Sequence, residues 1–380
     1  MNEMVKTSVP SIPADSPANG VTFDGKRSDF RRLIMRGALF ELVTVGFYRF
    51  WLATDMRRHL WSHTSVGGDA PEYTGTAKEL LIGFLFAMAI LAPVYLAYFF
   101  IGLEAERWQA FASIPLVAFF YLFAQFAMYR ARRYRLTRTI WRGVRFWMAG
   151  SGWSYAWRAA LWGIFVTVTL GLALPWRTAA LERYKMQHTS YGNLQGRFTA
   201  TGGQFFKEAW HLWLLTWPAA IFIVPLPFIY GAYKSIEWRW WVSGIRFGEV
   251  RFESKLSDGA LIGLYWKVIG WSALLLVLLS VWIGAVVGIA AAMGGGTSEQ
   301  QMLQIMQHPA TLIAMGAGYV IMALALGVVL RLYLMRDVWA RVANATLVYN
   351  LAAADNVTGQ GEAVSALGEG FADSLDIGGF

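Results

Sequence analysis

The sequence predicts an all-α polytopic membrane protein with internal repeats. It has about seven apolar segments, some bent or re-entrant, joined by short cytoplasmic β-hairpins. Three observations carry this reading. Of 380 residues, 56% are hydrophobic and only 15% charged, where a soluble domain carries about a quarter. Four runs, Leu80–Leu103, Phe111–Met128, Val268–Met293 and Thr311–Leu330, hold no Lys, Arg, Asp or Glu, and each approaches the ~20 residues needed to cross a bilayer. The third observation is that the chain repeats itself.

Sliding the sequence by 125 positions (176 − 51) lays Thr44, Gly46, Trp51, Arg58, His63, Thr64, Ser65, Thr74 and Thr76 on Thr169, Gly171, Trp176, Arg183, His188, Thr189, Ser190, Thr199 and Thr201 without a gap. Self-similarity in fixed register marks a repeat architecture. A shift of 50 (188 − 138) lays Arg133, Arg138 and Thr139 on Arg183, His188 and Thr189. The unit is therefore an apolar helix, a basic helix end, a short linker and the next helix.

Along the chain, the polar stretch Met1–Asn19 contains three prolines and lacks the apolar core of a signal peptide, so residues 1–20 read as a disordered leader. Residues 21–351 form the membrane domain, with repeat one at 21–145, repeat two at 146–247 and a divergent third unit at 248–351. The linkers alternate as strands around turn dipeptides. Arg142-Gly143 separates Thr139–Trp141 from Val144–Trp147, Gly192-Asn193 separates His188–Tyr191 from Leu194–Thr201, and Gly248-Glu249 separates Ile245–Phe247 from Val250–Phe252. Gly67-Gly68-Asp69 occupies the equivalent point in the first linker. Lone hairpins are marginal in water, so either the four pair into one small sheet capping the membrane domain or they are separate loops. The acidic tail, 352–380, has Asp355, Glu362, Glu369, Asp373 and Asp376 and no Lys or Arg; Val364, Leu367, Phe371 and Leu375 share a helical face. Opposite charge predicts that it docks on the basic linkers.

Basic linkers stay cytoplasmic, and the linker after Met128 carries Arg130, Arg132, Arg133, Arg135, Arg138, Arg142 and Arg145. Both termini are placed on that side. The segments 33–51, 153–176 and 205–233 then raise a parity problem, because single crossings would put homologous linkers on opposite faces. Thr-x-Gly breaks end the apolar parts of the first two, and Pro218, Pro225 and Pro227 interrupt the third. Gly and Pro permit a bend, so these segments are read as bent hairpins that return to the side they left. A repeat inverted across the bilayer is the alternative, and the charge pattern favours the first.

The absence of cysteine excludes disulfides and thiolate chemistry, and no catalytic motif is present. His59 and His63 have i, i+4 metal-ligand spacing, but only His63 has a histidine counterpart, since His59 falls on Tyr184. No metal and no cofactor is expected. Candidate binding residues are Glu41, Arg58, His63, Arg183 and His188. The two repeated histidines either face a substrate or close a helix end by hydrogen bonding. Glu41 is either a functional intramembrane acid or a partner of Arg31, Arg32 or Arg36. Arg130, Arg132, Arg133 and Arg135 suit anionic lipid headgroups rather than nucleic acid. Gly284-x3-Gly288 and Ala314-x3-Gly318 permit close helix contact, within the chain or in a homo-oligomer.

The Thr44-Val-Gly-Phe-Tyr-Arg-Phe-Trp51 and Thr169-Leu-Gly-Leu-Ala-Leu-Pro-Trp176 boxes, the Arg-x4-His-Thr segments and the ending Ala366-Leu-Gly-Glu-Gly-Phe-Ala-Asp-Ser-Leu-Asp-Ile-Gly378 resemble the YjgN-like proteins, bacterial inner-membrane proteins with a domain of unknown function. The resemblance covers roughly residues 20–380. A third box, usual in that family, is missing here after Ser254–Leu261, where a longer apolar insertion stands. The resemblance implies no substrate, cofactor or catalytic residue. The function classes left are a transporter or channel, a non-enzymatic envelope scaffold or lipid-interacting protein, and, last, a membrane enzyme using His63 and His188.

Overall fold

The computed structural model describes residues 19–107, 113–222, 224–294, 298–361 and 373. Residues 1–18 of the leader and the tail positions Val364, Leu367, Phe371 and Leu375 lie outside the described residues, whereas Asn19 and Gly20, placed in the leader, begin a strand. Strand β1 (Asn19–Phe23) leads into helices α1 (Arg27–Val43) and α2 (Arg49–Ser62), which return to β2 (Thr64–Val66) and β3 (Glu72–Tyr73). Helices α3 (Ala77–Arg107) and α4 (Ser113–Thr137) precede β4 (Thr139–Trp141) and β5 (Val144–Met148). Helices α5 (Gly152–Val168) and α6 (Leu174–Gln187) precede β6 (Thr189–Tyr191) and β7 (Leu194–Phe198). Helices α7 (Gly202–Phe222) and α8 (Leu226–Gly244) precede β8 (Ile245–Phe247) and β9 (Val250–Ser254). The last hairpin is α9 (Ile262–Gly294), α10 (Glu299–Gln307) and α11 (Pro309–Leu330), continued by a π-helical stretch, Arg331–Asp337, and α12 (Val338–Asn344). It ends in β10 (Thr346–Tyr349) and a 3-10 turn, Leu351–Ala354.

All the linker strands join one antiparallel sheet of ten strands, in the order β2-β1-β10-β9-β8-β7-β6-β5-β4-β3. Its two edge strands, β2 and β3, belong to the same linker. From Val66 to Glu72 the chain can reach at most ~21 Å, whereas ten strands laid flat would separate their edges by ~43 Å. The sheet must therefore curl until its edges nearly meet. Arg142 (φ 47°) and Gly143 (φ 75°) form the β4–β5 turn, both with the positive φ that a two-residue hairpin turn favours. Arg142 then binds Asp69 at 2.5 Å and Asp355 at 2.6 Å. The interior of the curl is filled by Val21, Trp141, Tyr191, Val250 and Val348, with Leu351 and Ala354 of the 3-10 turn packed among them.

The repeated Thr-x-Gly is a helix terminator. In α1, the Gly46 N–H donates to Glu41 O at 2.7 Å, and in the second copy the Gly171 N–H donates to Val166 O at 2.8 Å. These are the six-to-one bonds of a Schellman end. The threonine hydroxyls donate back to Phe40 O (2.7 Å) and Phe165 O (2.8 Å) and accept from the next helix, at Tyr48 N (2.9 Å) and Ala173 N (3.2 Å). Gly46 (φ 85°) and Gly171 (φ 87°) supply the left-handed backbone. Each apolar run is thus folded in two, and both its ends come back to the sheet. Most helices pack against their chain neighbours, and α11 meets α1; α3 and α4 touch through Ala87, Ala127 and Ala131 and are tied by the Tyr134 hydroxyl, which donates to Glu79 at 2.8 Å.

Two features of the predicted fold class are corrected. The protein is not an all-α bundle with small hairpins, because those hairpins merge into a ten-stranded sheet. Nor are there about seven crossing segments. Among the described residues three helices are long and apolar enough to span a bilayer: Ala77–Gly102, Ile262–Met293 and Pro309–Asn344. The segments 33–51, 153–176 and 205–233, read as bent hairpins, are not among them, and neither is Phe111–Met128, read as a crossing run, which continues in α4 into the basic stretch Arg130–Arg135. Gly46→Ala and Gly171→Ala are each expected to destabilise the protein by about 1–2 kcal/mol, the penalty of a Cβ in left-handed backbone, measurable as a lower Tm in detergent.

Candidate functional site

The Arg-x4-His-Thr motif sits where a helix ends and its strand begins. His63 and His188 cap α2 and α6, and their Nδ1–H groups donate to His59 O at 2.8 Å and Tyr184 O at 2.7 Å. The next hydroxyls, Thr64 and Thr189, donate to Leu60 O (2.7 Å) and Lys185 O (2.9 Å). Histidine and threonine therefore satisfy carbonyls that the helix end leaves open. Arg58 donates to Gly75 O at 3.0 Å, tying α2 to the start of the next hairpin. Burial, then the neighbouring His63, pushes His59 below the usual histidine range; the two rings lie 4.2 Å apart.

Beside each motif copy lies an open cleft. The first, about 610 Å³, is lined by Arg58, His59, Ser62, Glu72, Tyr73 and Thr74 among others. The second, about 510 Å³, is lined by Arg183, Gln187, His188, Gln195, Arg197 and Thr199 among others. Under the 125-residue shift Arg58, Ser62, Glu72, Tyr73 and Thr74 fall on Arg183, Gln187, Arg197, Phe198 and Thr199, so the two are one feature built twice. Of the candidate binding residues, Arg183 and His188 line one cleft and Arg58 lines the other, where His59 stands in place of His63.

One helical turn inward, charged side chains form a buried chain. The Arg57 guanidinium grips Asp373 with both arms, one at 3.1 Å, and Arg135 approaches the same carboxylate at 3.6 Å. Arg132 binds Glu182 at 3.0 Å, and Lys185 binds Glu182 from the next turn of α6. Burial opposes the charge on Glu182, but Lys185 and Arg132 outweigh it and hold the carboxyl at about 2. Burial lowers Arg135, only partly offset by Asp373. Arg57, Glu182 and Lys185 have no part in the sequence expectation; Asp373 belongs to the acidic tail, whose expected docking on the basic linkers is seen where Asp373 meets Arg135 and Asp355 meets Arg142. The available signal was position: Arg57, Arg132 and Glu182 precede the repeated Arg58, Arg133 and Arg183 by one residue, which turns them about 100° inward on a helix.

Residues 18–237, more than half of the chain, match a family model described as a bacterial protein of unknown function, DUF898. The chain belongs to this family. No curated protein and no solved structure matches it. The DUF898 match agrees with the YjgN-like resemblance. It contains both motif copies and both clefts and stops inside α8, before the last long hairpin. In this DUF898 chain the expected headgroup arginines divide. Arg132 and Arg135 are committed to the buried ion pairs above, and Arg130 lies over the Phe126 ring at 5.2 Å. Arg133 is half-buried on α4.

Glu41 differs from its expected partnership. It is 4% exposed and is held in two bonds, 3.0 and 2.8 Å, by Arg331, not by Arg31, Arg32 or Arg36. The pair joins the first hairpin to the π-helical stretch of the last. Among the described residues no three His, Asp or Glu side chains converge as a metal site requires. Glu41→Ala, which strands Arg331, is expected to cost about 3–5 kcal/mol in detergent unfolding, and Glu41→Ala with Arg331→Met distinctly less. Because the Glu182 carboxyl is depressed, the stability it supplies is full above the unfolded carboxylate range and is lost as pH falls through about 2. Unfolding followed from pH 6 downward should show that loss in wild type, and Glu182→Gln should flatten it.

Proposed function

We propose that the protein is a lipid-interacting component of the bacterial inner membrane. The two long hairpins cross the bilayer, the three short hairpins dip into one leaflet, and the sheet lies in the cytoplasm. One observation carries this reading. Val45 (φ 52°) and Leu170 (φ 50°) occupy left-handed backbone at the tips of the first and third hairpins, a conformation where glycine is comfortable and a branched side chain is strained. They are nevertheless 88% and 67% exposed. In water the sequence would suffer twice at each tip, from strain and from apolar exposure. In hydrocarbon the exposure becomes favourable and offsets the strain.

Length supports the same division. Helix α1 has 17 residues and α5 has 17, about 26 Å each, whereas α3 has 31 and α9 has 33, about 46 to 50 Å. All are rooted in the same sheet, so the long hairpins reach ~20 Å farther than the short ones. From Ala159 to Val168, α5 carries no charge, which is ~15 Å of apolar helix or half the ~30 Å hydrocarbon core. Arg158 and Arg177 bracket that section on the two legs, and Trp51 and Trp176 stand exposed near the tips, as interfacial tryptophans do. The basic linkers favour the cytoplasm for the sheet. The buried charged groups are committed to ion pairs with one another, so a scaffold or lipid-binding role fits better than a transport path lined by them. Single cysteines at Val45, Leu170 and Val224, carrying an environment-sensitive dye, should be quenched by mid-chain spin-labelled lipids and be shielded from aqueous quenchers on both faces of a proteoliposome. A dye at any tip reached from the face opposite the sheet would overturn the reading.

A further inference from the structure

The second cleft opens onto a row of arginines. In β7, Gly196 and Phe198 are buried and Gln195 and Arg197 are exposed; alternation along a strand puts the latter pair on the outer face. In β8 and β9, Phe247, Val250 and Phe252 belong to the core, which leaves Arg246 and Arg251 on that same outer face. The register pairs Arg197 with Arg246 and Arg246 with Arg251. Neighbouring strands lie ~4.8 Å apart, and like charges directly opposite each other are destabilising. Three cations in one row are a cost the fold carries. Arg251 lies over the Tyr349 ring at 5.2 Å, and Arg246 donates to Phe252 O at 3.3 Å. Among the described residues, the carboxylates on this side are Glu253, farther along β9, and Glu249, in the turn.

The contrast between the two clefts gives the row its meaning. In the first, Glu72 stands opposite Arg58, so one cation meets one anion. In the second, Arg197 replaces the glutamate and faces the cleft with Arg183, two amides (Gln187 and Gln195) and the Thr199 hydroxyl, with no carboxylate in the lining. Arg183 and Arg197 are both exposed, and their guanidinium forks match a phosphate in geometry and charge.

We propose that the cleft between α6 and β7 is a phosphate-binding site, with Arg183 and Arg197 holding the phosphate and Arg246 strengthening the field behind them. Two sources share that chemistry. Arg183 lies seven residues, ~10 Å, along α6 from Trp176, the level at which a leaflet's headgroups would lie. The headgroup source therefore rests on the insertion of the short hairpins proposed above. A soluble phosphomonoester needs no such insertion.

The full chain in phosphatidylcholine nanodiscs is titrated in separate arms with glycerol 3-phosphate and with dioctanoyl phosphatidylglycerol, and saturation is followed by thermophoresis. Wild type saturates with one of them, and which one identifies the source. Arg183→Gln and Arg197→Gln each weaken that binding about ten-fold or more, the scale of a lost charge-assisted hydrogen bond, while Lys207→Gln on α7 binds as wild type does. Absence of saturation in both arms overturns the site, as does wild-type affinity in Arg183→Gln and Arg197→Gln, or an equal loss in Lys207→Gln. Lipid quenching at the Val45 position, measured in the same nanodiscs, separates the two readings. Quenched tips without phosphate binding sink only the site, and unquenched tips sink the insertion.

Discussion

Two strands joined by five residues stand at opposite edges of a ten-stranded sheet, and most of the architecture follows from that short tether. A sheet so constrained must curl, and a curled sheet has an inside to be filled. The 3-10 turn after β10 supplies part of the filling. Every helical hairpin is rooted in this sheet by a strand at each foot, so the helices inherit its circular order. That is why α11 comes back to α1, even though the two are nearly a chain length apart.

The circular order also places the charged groups. Arg57, Arg132 with Arg135, and Glu182 with Lys185 sit on the feet of successive hairpins, and ring geometry points them toward one another. Buried ions need partners, and here Arg132 finds Glu182 on the neighbouring foot, Lys185 finds it on its own, and Arg57 and Arg135 meet Asp373. Tyr134 and Glu79 stitch α3 to α4 in the same layer, with Arg138 on the same carboxylate at 2.7 Å. The layer is polar, buried and enclosed by the helix ends above and the sheet below.

Local features were legible in the sequence and distant ones were not. The turn dipeptides Arg142-Gly143, Gly192-Asn193 and Gly248-Glu249 mark the three hairpins where they occur, and Thr-x-Gly marks the bends, because both depend on backbone conformation within a few residues. Reading the bent segments as returning to one side matches the shared sheet. What failed depends on partners far along the chain. Glu41 meets Arg331 across 290 positions, a pairing that leaves no mark in composition or period; the acidic tail's charge does indicate docking on the basic linkers, where Asp373 and Asp355 meet Arg135 and Arg142, but not the choice of Arg57, 316 positions away. The sheet was weighed only as a small cap, since strand pairing between separate linkers has no sequence signature of its own. At the clefts, the repeat identified Arg58 and Arg183, but it hid the replacement of Glu72 by Arg197, because aligned motifs draw attention to what is shared.

Strand β1 sits between β2 and β10, so among the described strands the most N-terminal pairs with the most C-terminal. Until the final segment is synthesised, the growing chain keeps two raw edges of hydrogen-bonding backbone, however well its early hairpins have settled. The sheet is closed only when β10 takes its place between β1 and β9. A chain cut short before residue 346 would hold nearly all its greasy helices and still present the cell's quality-control machinery with an unfinished rim.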